Sequence, residues 1–235
     1  MRGLFVTGTD TGVGKSVLSA ALVAAMVAAG ESVRAFKPVV TGLDEPPDAN
    51  AGETWPPDHE LLASAAGMRP EDVSPLRFGP AVSPHLAAEL AGARIDPAEL
   101  LAHARGGARP DSPTAEETLV VEGVGGLLVP LADDYTVCDL AVALGLPVVI
   151  AARPGLGTIN HTLLTLQVAR SAGLQVCAVV LTPWPEEPTA IERSNRETIA
   201  RVGEVEVEIL PPISRPVAVE LAGAGESLPW RRWLR

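Results

Sequence analysis

Residues 4–16 read Leu4-Phe5-Val6-Thr7-Gly8-Thr9-Asp10-Thr11-Gly12-Val13-Gly14-Lys15-Ser16, and an Ala-rich stretch follows at once. Leu4, Phe5 and Val6 form an unbroken apolar run, the pattern of a strand covered on both faces. Residues 15–29 have the composition of a helix, with Gly30 as its stop signal. Glycines between a strand and a helix let backbone N–H groups approach an anion, and the helix N-terminus adds about half a positive charge. Lys15 is placed to reach terminal phosphates, and the Ser16 hydroxyl is placed to hold Mg²⁺. The segment reads as a phosphate-binding loop, with Gly12, Val13, Gly14, Lys15, Ser16 and Val17 as candidate nucleotide contacts. It is a variant one, because Thr9 stands where the usual G-x-x-x-x-G-K-[ST] spacing has its first glycine.

The same rhythm continues outward. Apolar runs at 33–36, 119–121, 147–151 and 176–181 predict further buried strands, and helical patterns occupy 58–66, 97–105, 137–144, 158–172 and 188–201. Gly67, Gly145 and Gly173 each stand just past a helical stretch. Buried strands alternating with helices predict a doubly wound α/β fold: a mostly parallel sheet with helices on both faces, of the P-loop NTPase type. With no internal repeat and no second core, residues 1–235 read as one domain. Residues 43–57, crowded with Pro, Asp, Glu, Gly and Asn, predict a mobile loop at a ligand edge or a plain surface loop. Residues 68–84 are also punctuated by proline. The basic, aromatic tail 230–235 reads as a docked or frayed terminus.

Composition excludes several functions. A chain of 235 residues with 47% hydrophobic content can support a large core, and a formal charge of −11 leaves no broad cationic face for nucleic acid or an anionic membrane. Cys138 and Cys177 lie among apolar neighbours, which suits a reducing compartment. Met1-Arg2-Gly3 leads straight into the first strand without a leader pattern, so a cytoplasmic location is expected. Of 18 basic residues only Lys15 and Lys37 are lysines. A compact ammonium suits a site that admits one point charge among phosphate oxygens, so both positions invite a functional reading.

Lys37 follows the second strand in Phe36-Lys37-Pro38-Val39-Val40-Thr41-Gly42, at the edge where open α/β sheets hold ligands; a surface lysine would sit there equally well. Glu122 ends the apolar run of residues 119–121 and precedes Gly123, Val124, Gly125 and Gly126, a place for a metal-binding carboxylate or a solvated strand end. Asp58 opens a helix as an N-cap or a ligand. Gly157, Thr158, Ile159 and Asn160 begin another helix, whose free N–H groups can bind a carboxylate unless Thr158 only caps it. His161 and Thr165 share a face, but nothing beside them completes a zinc site. No Ser/His/Asp or Cys/His nucleophile pattern is present.

Over residues 3–213 the chain resembles the dethiobiotin synthetase family, on residues 8–16, 37–42, 122–126 and 156–165 taken in this order. The resemblance implies MgATP-dependent joining of CO₂ to 7,8-diaminononanoate as a carbamate, phosphorylation to a mixed anhydride, and closure of a cyclic urea. It implies that Lys15 holds ATP phosphates, that Ser16, Asp58 and Glu122 share Mg²⁺, and that Lys37 is the catalytic cation. It also implies that Thr11 and Thr41 touch the carbamate, and that Gly157, Thr158, Ile159 and Asn160 receive the substrate carboxylate from a neighbouring subunit, hence a homodimer. Thr182 and Pro183 stand where the family often has an adenine-reading Asn, with Pro211, Pro212 and Ile213 flanking the base. Thr has one hydroxyl, so the base preference is open and another nucleoside triphosphate could serve. Gly12 replaces a glutamate common in some members. Two rivals share the fold: a partitioning or cluster-carrier switch ATPase, which typically carries a lysine where Thr9 and Asp10 stand, and a cobyrinate-type amide synthase, which needs a glutaminase domain.

Overall fold

Every residue of β1 (Gly3–Gly8) is buried, because β1 lies inside a six-stranded sheet. The computed structural model describes residues 1–45, 55–106 and 117–234. After β1 come α1 (Lys15–Ala28), β2 (Val33–Phe36), β3 (Val39–Val40), α2 (Asp58–Ala66), α3 (Pro70–Val73), β4 (Leu76–Arg77), α4 (Pro84–Leu90) and α5 (Pro97–Ala104). The second half holds β5 (Thr118–Gly126), β6 (Pro130–Ala132), β7 (Tyr135–Thr136), α6 (Val137–Leu144), β8 (Val148–Ala152) and α7 (Thr158–Ser171). It ends with β9 (Val176–Leu181), α8 (Ala190–Gly203), β10 (Val207–Ile209), α9 (Ala218–Glu226) and α10 (Trp230–Trp233).

The main sheet runs β10-β9-β8-β1-β5-β2, and each of its pairs is parallel. Side chains alternate across it, which is why the predicted strands lack polar positions. Phe5, Val121, Ile150 and Leu181 enter one core, with residues of α4 to α8. Leu4, Val6, Val120, Val149 and Val180 enter the other, with α1, α2, α9 and α10. The chain first moves from β1 outward to β2, returns to β5, and then builds the other half. This change of direction opens a crevice beyond the carboxyl ends of the central strands.

Boundaries shift where capping decides them. The predicted helix 188–201 begins at Ala190, because Thr189 and Glu192 form a reciprocal capping box. The predicted strand 147–151 begins at Val148. β10 was not expected: it is three residues long and carries Glu208. α9 was not expected either, since Gly223 and Gly225 disfavour a helix. Packing explains Gly225, where an added methyl would come 2.1 Å from the Ala21 carbonyl oxygen on α1. The tail is docked: Trp230 and Trp233 are 1% and 3% exposed. Residues 46–54 of the predicted loop lie outside the described residues. Among the described residues no helix is long and apolar enough to cross a membrane, and both cysteines are free thiols.

Candidate active site

The loop between β1 and α1 turns on Gly12 and Gly14, with φ of +68° and +91°. Both lie in the left-handed region that favours glycine. Gly14 caps α1 without a side-chain bond, and the first turn of α1 holds no acidic residue of its own to offset the positive end of the helix. Room above Gly14 is also taken, since an added methyl would come 2.8 Å from Thr182 Cγ2. The Lys15 ammonium curls back and donates to the Asp10 carbonyl at 2.7 Å. Burial lowers the Lys15 pKa from its ordinary value.

Lys37 follows β2 and is 3% exposed, which removes the surface-lysine alternative. Its Nζ lies 2.5 Å from Glu122 Oε1 and 2.8 Å from Asp58 Oδ2. Ser16 Oγ donates to the same Glu122 oxygen at 2.8 Å. Burial works against the Lys37 charge, but the Glu122 and Asp58 carboxylates outweigh it and hold the ammonium above the ordinary lysine range. Burial likewise pushes the Glu122 carboxyl up, against the pull of Lys37. Asp58 is held low: burial would raise it, but Lys37 and Ser16 stabilise its charged form. Pro57, not Asp58, occupies the cap position of α2, so the Asp58 carboxylate is free to serve Lys37. Glu122 Oε2 is buried without a hydrogen-bond partner. Such an orphaned acceptor calls for a ligand.

These groups wall one cavity of about 700 Å³. Of the predicted residues, Thr11, Gly12, Gly14, Lys15, Ser16, Val17, Lys37, Thr41, Asp58, Val124 and Gly125 line it. Glu122 lies just beneath, reached through Lys37 and Ser16. Val13 and Gly123 are buried and do not line the cavity. Ser83 and Pro84 border this cavity, whereas the adjoining His85 lines another, shared with Tyr135 and Asp96.

The remaining predicted residues stand apart from the cavity. Thr182 and Pro183 follow β9, and Pro211, Pro212 and Ile213 follow β10. Bonds of 2.8 Å from Trp184 N to Leu210 O and 3.0 Å from Leu210 N to Leu181 O tie these two segments together, and Thr182 meets the loop at Gly14. Gly157, Thr158, Ile159 and Asn160 open α7 without lining the cavity. Thr158 is not its cap: Gly157 holds that position with no side-chain bond, and Thr158 Oγ1 lies 3.4 Å from Thr162 Oγ1. Leu156 beside them is 96% exposed.

Sequence reasoning missed the apolar wall formed by Val39, Trp55, Ala81, Val82 and Val129. Such residues carry no chemical signature, and only topology brings them together. It also missed Arg153, at the tip of β8, which bonds the loop at Thr11.

Residues 2–214 match the family described as AAA domain. The chain is 38% identical over 205 residues to the ATP-dependent dethiobiotin synthetase BioD of Bacillus subtilis subsp. natto, covering 86% of this chain and 83% of that protein. It is 40% identical over 231 residues to the protein of the same name from Anaeromyxobacter dehalogenans (strain 2CP-C), covering 97% of each. In fold it is similar to the MinC:MinD cell division protein complex of Aquifex aeolicus, with TM-score 0.50 and 15% identity over 100% of this chain and 92% of that one. That likeness concerns architecture alone. The extent and level of identity with the synthetases decide between the readings that share this fold, and the chain belongs to the ATP-dependent dethiobiotin synthetase family.

Proposed function

We propose that this chain catalyses ATP-dependent ring closure of 7,8-diaminononanoate with CO₂ to dethiobiotin, as a homodimer. The observation that carries the reading is the convergence of Lys15 and Lys37, the two lysines of the sequence, on one cavity beside the phosphate loop. The reaction must bring a carbamate and a triphosphate, both anionic, into contact within a protein of charge −11. Two ammonium groups and the amide end of α1 supply local positive charge, and charge-assisted hydrogen bonds contribute about 1.5–3 kcal/mol each.

Ser16, Asp58 and Glu122 suit Mg²⁺: all three offer hard oxygens, and Glu122 Oε2 has no protein partner. When bound there, Mg²⁺ would neutralise phosphate charge during transfer. The residues' own tasks follow from their places. One amine of the diamine adds to CO₂ and loses a proton, giving a carbamate that Thr11, Thr41 and Lys37 would hold. The carbamate oxygen takes the terminal phosphoryl group, with ADP leaving, while Lys15 and the loop amides grip the phosphates. The second amine then attacks the carbamoyl carbon, loses a proton and expels phosphate as the ring closes. Positioning and charge suffice, so no protein nucleophile is required.

The exposed Leu156 and the uncapped start of α7 support a role for Gly157, Thr158, Ile159 and Asn160 in the partner's site, where their N–H groups would bind the substrate carboxylate. The test is a phosphate-release assay in which diaminononanoate, bicarbonate, Mg²⁺ and ATP are omitted in turn. Release that needs all four is expected. Release that ignores the diamine and responds to a protein partner or DNA would overturn the reading.

A further inference from the structure

Arg153 directly follows β8 and is exposed. Its Nη2 donates to the Thr11 carbonyl at 3.1 Å. A methyl group added at Gly12 would lie 3.4 Å from the same nitrogen. The guanidinium therefore covers the Thr11–Gly12 peptide without lining the cavity that both residues border.

Peptide geometry gives this contact a consequence. Among the described residues the cis bond is Thr182-Pro183, so Thr11–Gly12 is trans. In a planar trans unit the carbonyl and the following N–H point in opposite directions. With the Thr11 carbonyl turned to Arg153, the Gly12 N–H points away from Arg153. A peptide beside a glycine at φ +68° flips readily, since no Cβ opposes the alternative. The preceding carbonyl, that of Asp10, is held by Lys15. Two successive loop carbonyls are thus each held by a different cation.

We propose that Arg153 is a positioning residue for the phosphoryl-transfer site: it keeps the Thr11 carbonyl outward so that the Gly12 N–H serves as a donor to an anionic oxygen in the cavity. Bonding to a cation also polarises that peptide and strengthens its N–H as a donor. The anionic oxygen belongs to the triphosphate or to the carbamate. This rests on the synthetase reading for the reaction, though not for the nucleotide.

Arg153→Met and Arg153→Lys test it in the full-length protein. In Arg153→Met, kcat/KM should fall about tenfold or more, with the melting temperature unchanged, and Arg153→Lys should recover much of the loss. By NMR, the Gly12 amide proton of the wild type should shift on adding a non-hydrolysable ATP analogue with Mg²⁺ or, if the carbamate is the acceptor, diamine with bicarbonate. That shift should shrink in Arg153→Met. Weaker binding of the analogue assigns the donor to phosphate, and a raised KM for bicarbonate or diamine alone assigns it to the carbamate. The proposal is overturned if Arg153→Met matches an active wild type, if the Gly12 shift is unaltered, or if activity falls only together with the melting temperature. A wild type inactive on the diamine would overturn the synthetase reading instead, with the Gly12 response to the analogue still deciding the role of Arg153.

Discussion

The Lys37 ammonium sits 2.5 Å from Glu122 Oε1 and bridges to Asp58 Oδ2 at 2.8 Å, so one positive charge is shared between two carboxylates. A divalent cation bound as proposed would have to share Glu122 Oε1 and Asp58 Oδ2 with Lys37.

Lys37→Met leaves Glu122 and Asp58 without their ion-pair partner, with Lys15 as the remaining ammonium that acts on both. Its affinity for Mn²⁺ without nucleotide should rise about tenfold or more, read by electron paramagnetic resonance, while turnover is lost. Stripped of its partner, buried Glu122 should lower stability by about 3 kcal/mol, and Mn²⁺ should restore part of that. Equal Mn²⁺ affinity in the variant and the wild type would show that Lys37 does not guard the metal site.

Thr182 is buried at the end of β9 and pressed against Gly14. Its single hydroxyl can complement a base edge at one position, where an amide side chain could both donate and accept. Comparable kcat/KM with ATP, CTP and GTP is the expected outcome. A hundredfold bias to ATP, about 2.7 kcal/mol, would mean that backbone groups of residues 210–213 read the base.

Much of this site was legible because its chemistry needs rare residue types in fixed places. Lys15 and Lys37 stood out against sixteen arginines, and Glu122 stood out as an acid directly after an apolar run, although β5 continues past it to Gly126 and so places it inside the strand. Asp58 was ambiguous, since an aspartate opening a helix is ordinarily a cap. Only the fold, by giving the cap position to Pro57 and bringing Lys37 alongside, resolves it. Arg153 was illegible among so many arginines, because what distinguishes it is a bond spanning 142 positions. The sheet followed from apolar runs, but β10 did not, as Glu206 and Glu208 interrupt the apolar residues there, and α9 did not, as its glycines disfavour a helix that tertiary packing holds.

Gly225 tests that last point. α9 packs on α1 so closely that a methyl at Gly225 would overlap the Ala21 carbonyl, whereas one at Gly223 would meet nothing within 4 Å. Gly225→Ala should destabilise the protein by about 1–3 kcal/mol through overpacking. Gly223→Ala, in open space on the same helix, should be neutral or stabilising by up to about 1 kcal/mol. Urea unfolding of both variants separates close packing from helix propensity, and equal effects would refute the close approach.

A pH-dependent contribution comes from the start of α6. Asp139 Oδ2 accepts from Thr136 N at 2.7 Å and from Thr136 Oγ1 at 2.6 Å, and Asp139 N donates back to Thr136 Oγ1 at 3.3 Å. These bonds favour the ionised carboxylate and lower its pKa in the folded protein. In the unfolded chain the group titrates near its ordinary value of about 3.9. The folded state is therefore favoured while the carboxylate is ionised, and this contribution is lost as pH falls through the depressed folded value. Asp139→Asn should be less stable than the wild type in urea at pH 7, with the gap narrowing once pH drops below about 4. A gap of the same size at pH 7 and pH 3 would trace the effect to lost side-chain shape rather than to the charged cap.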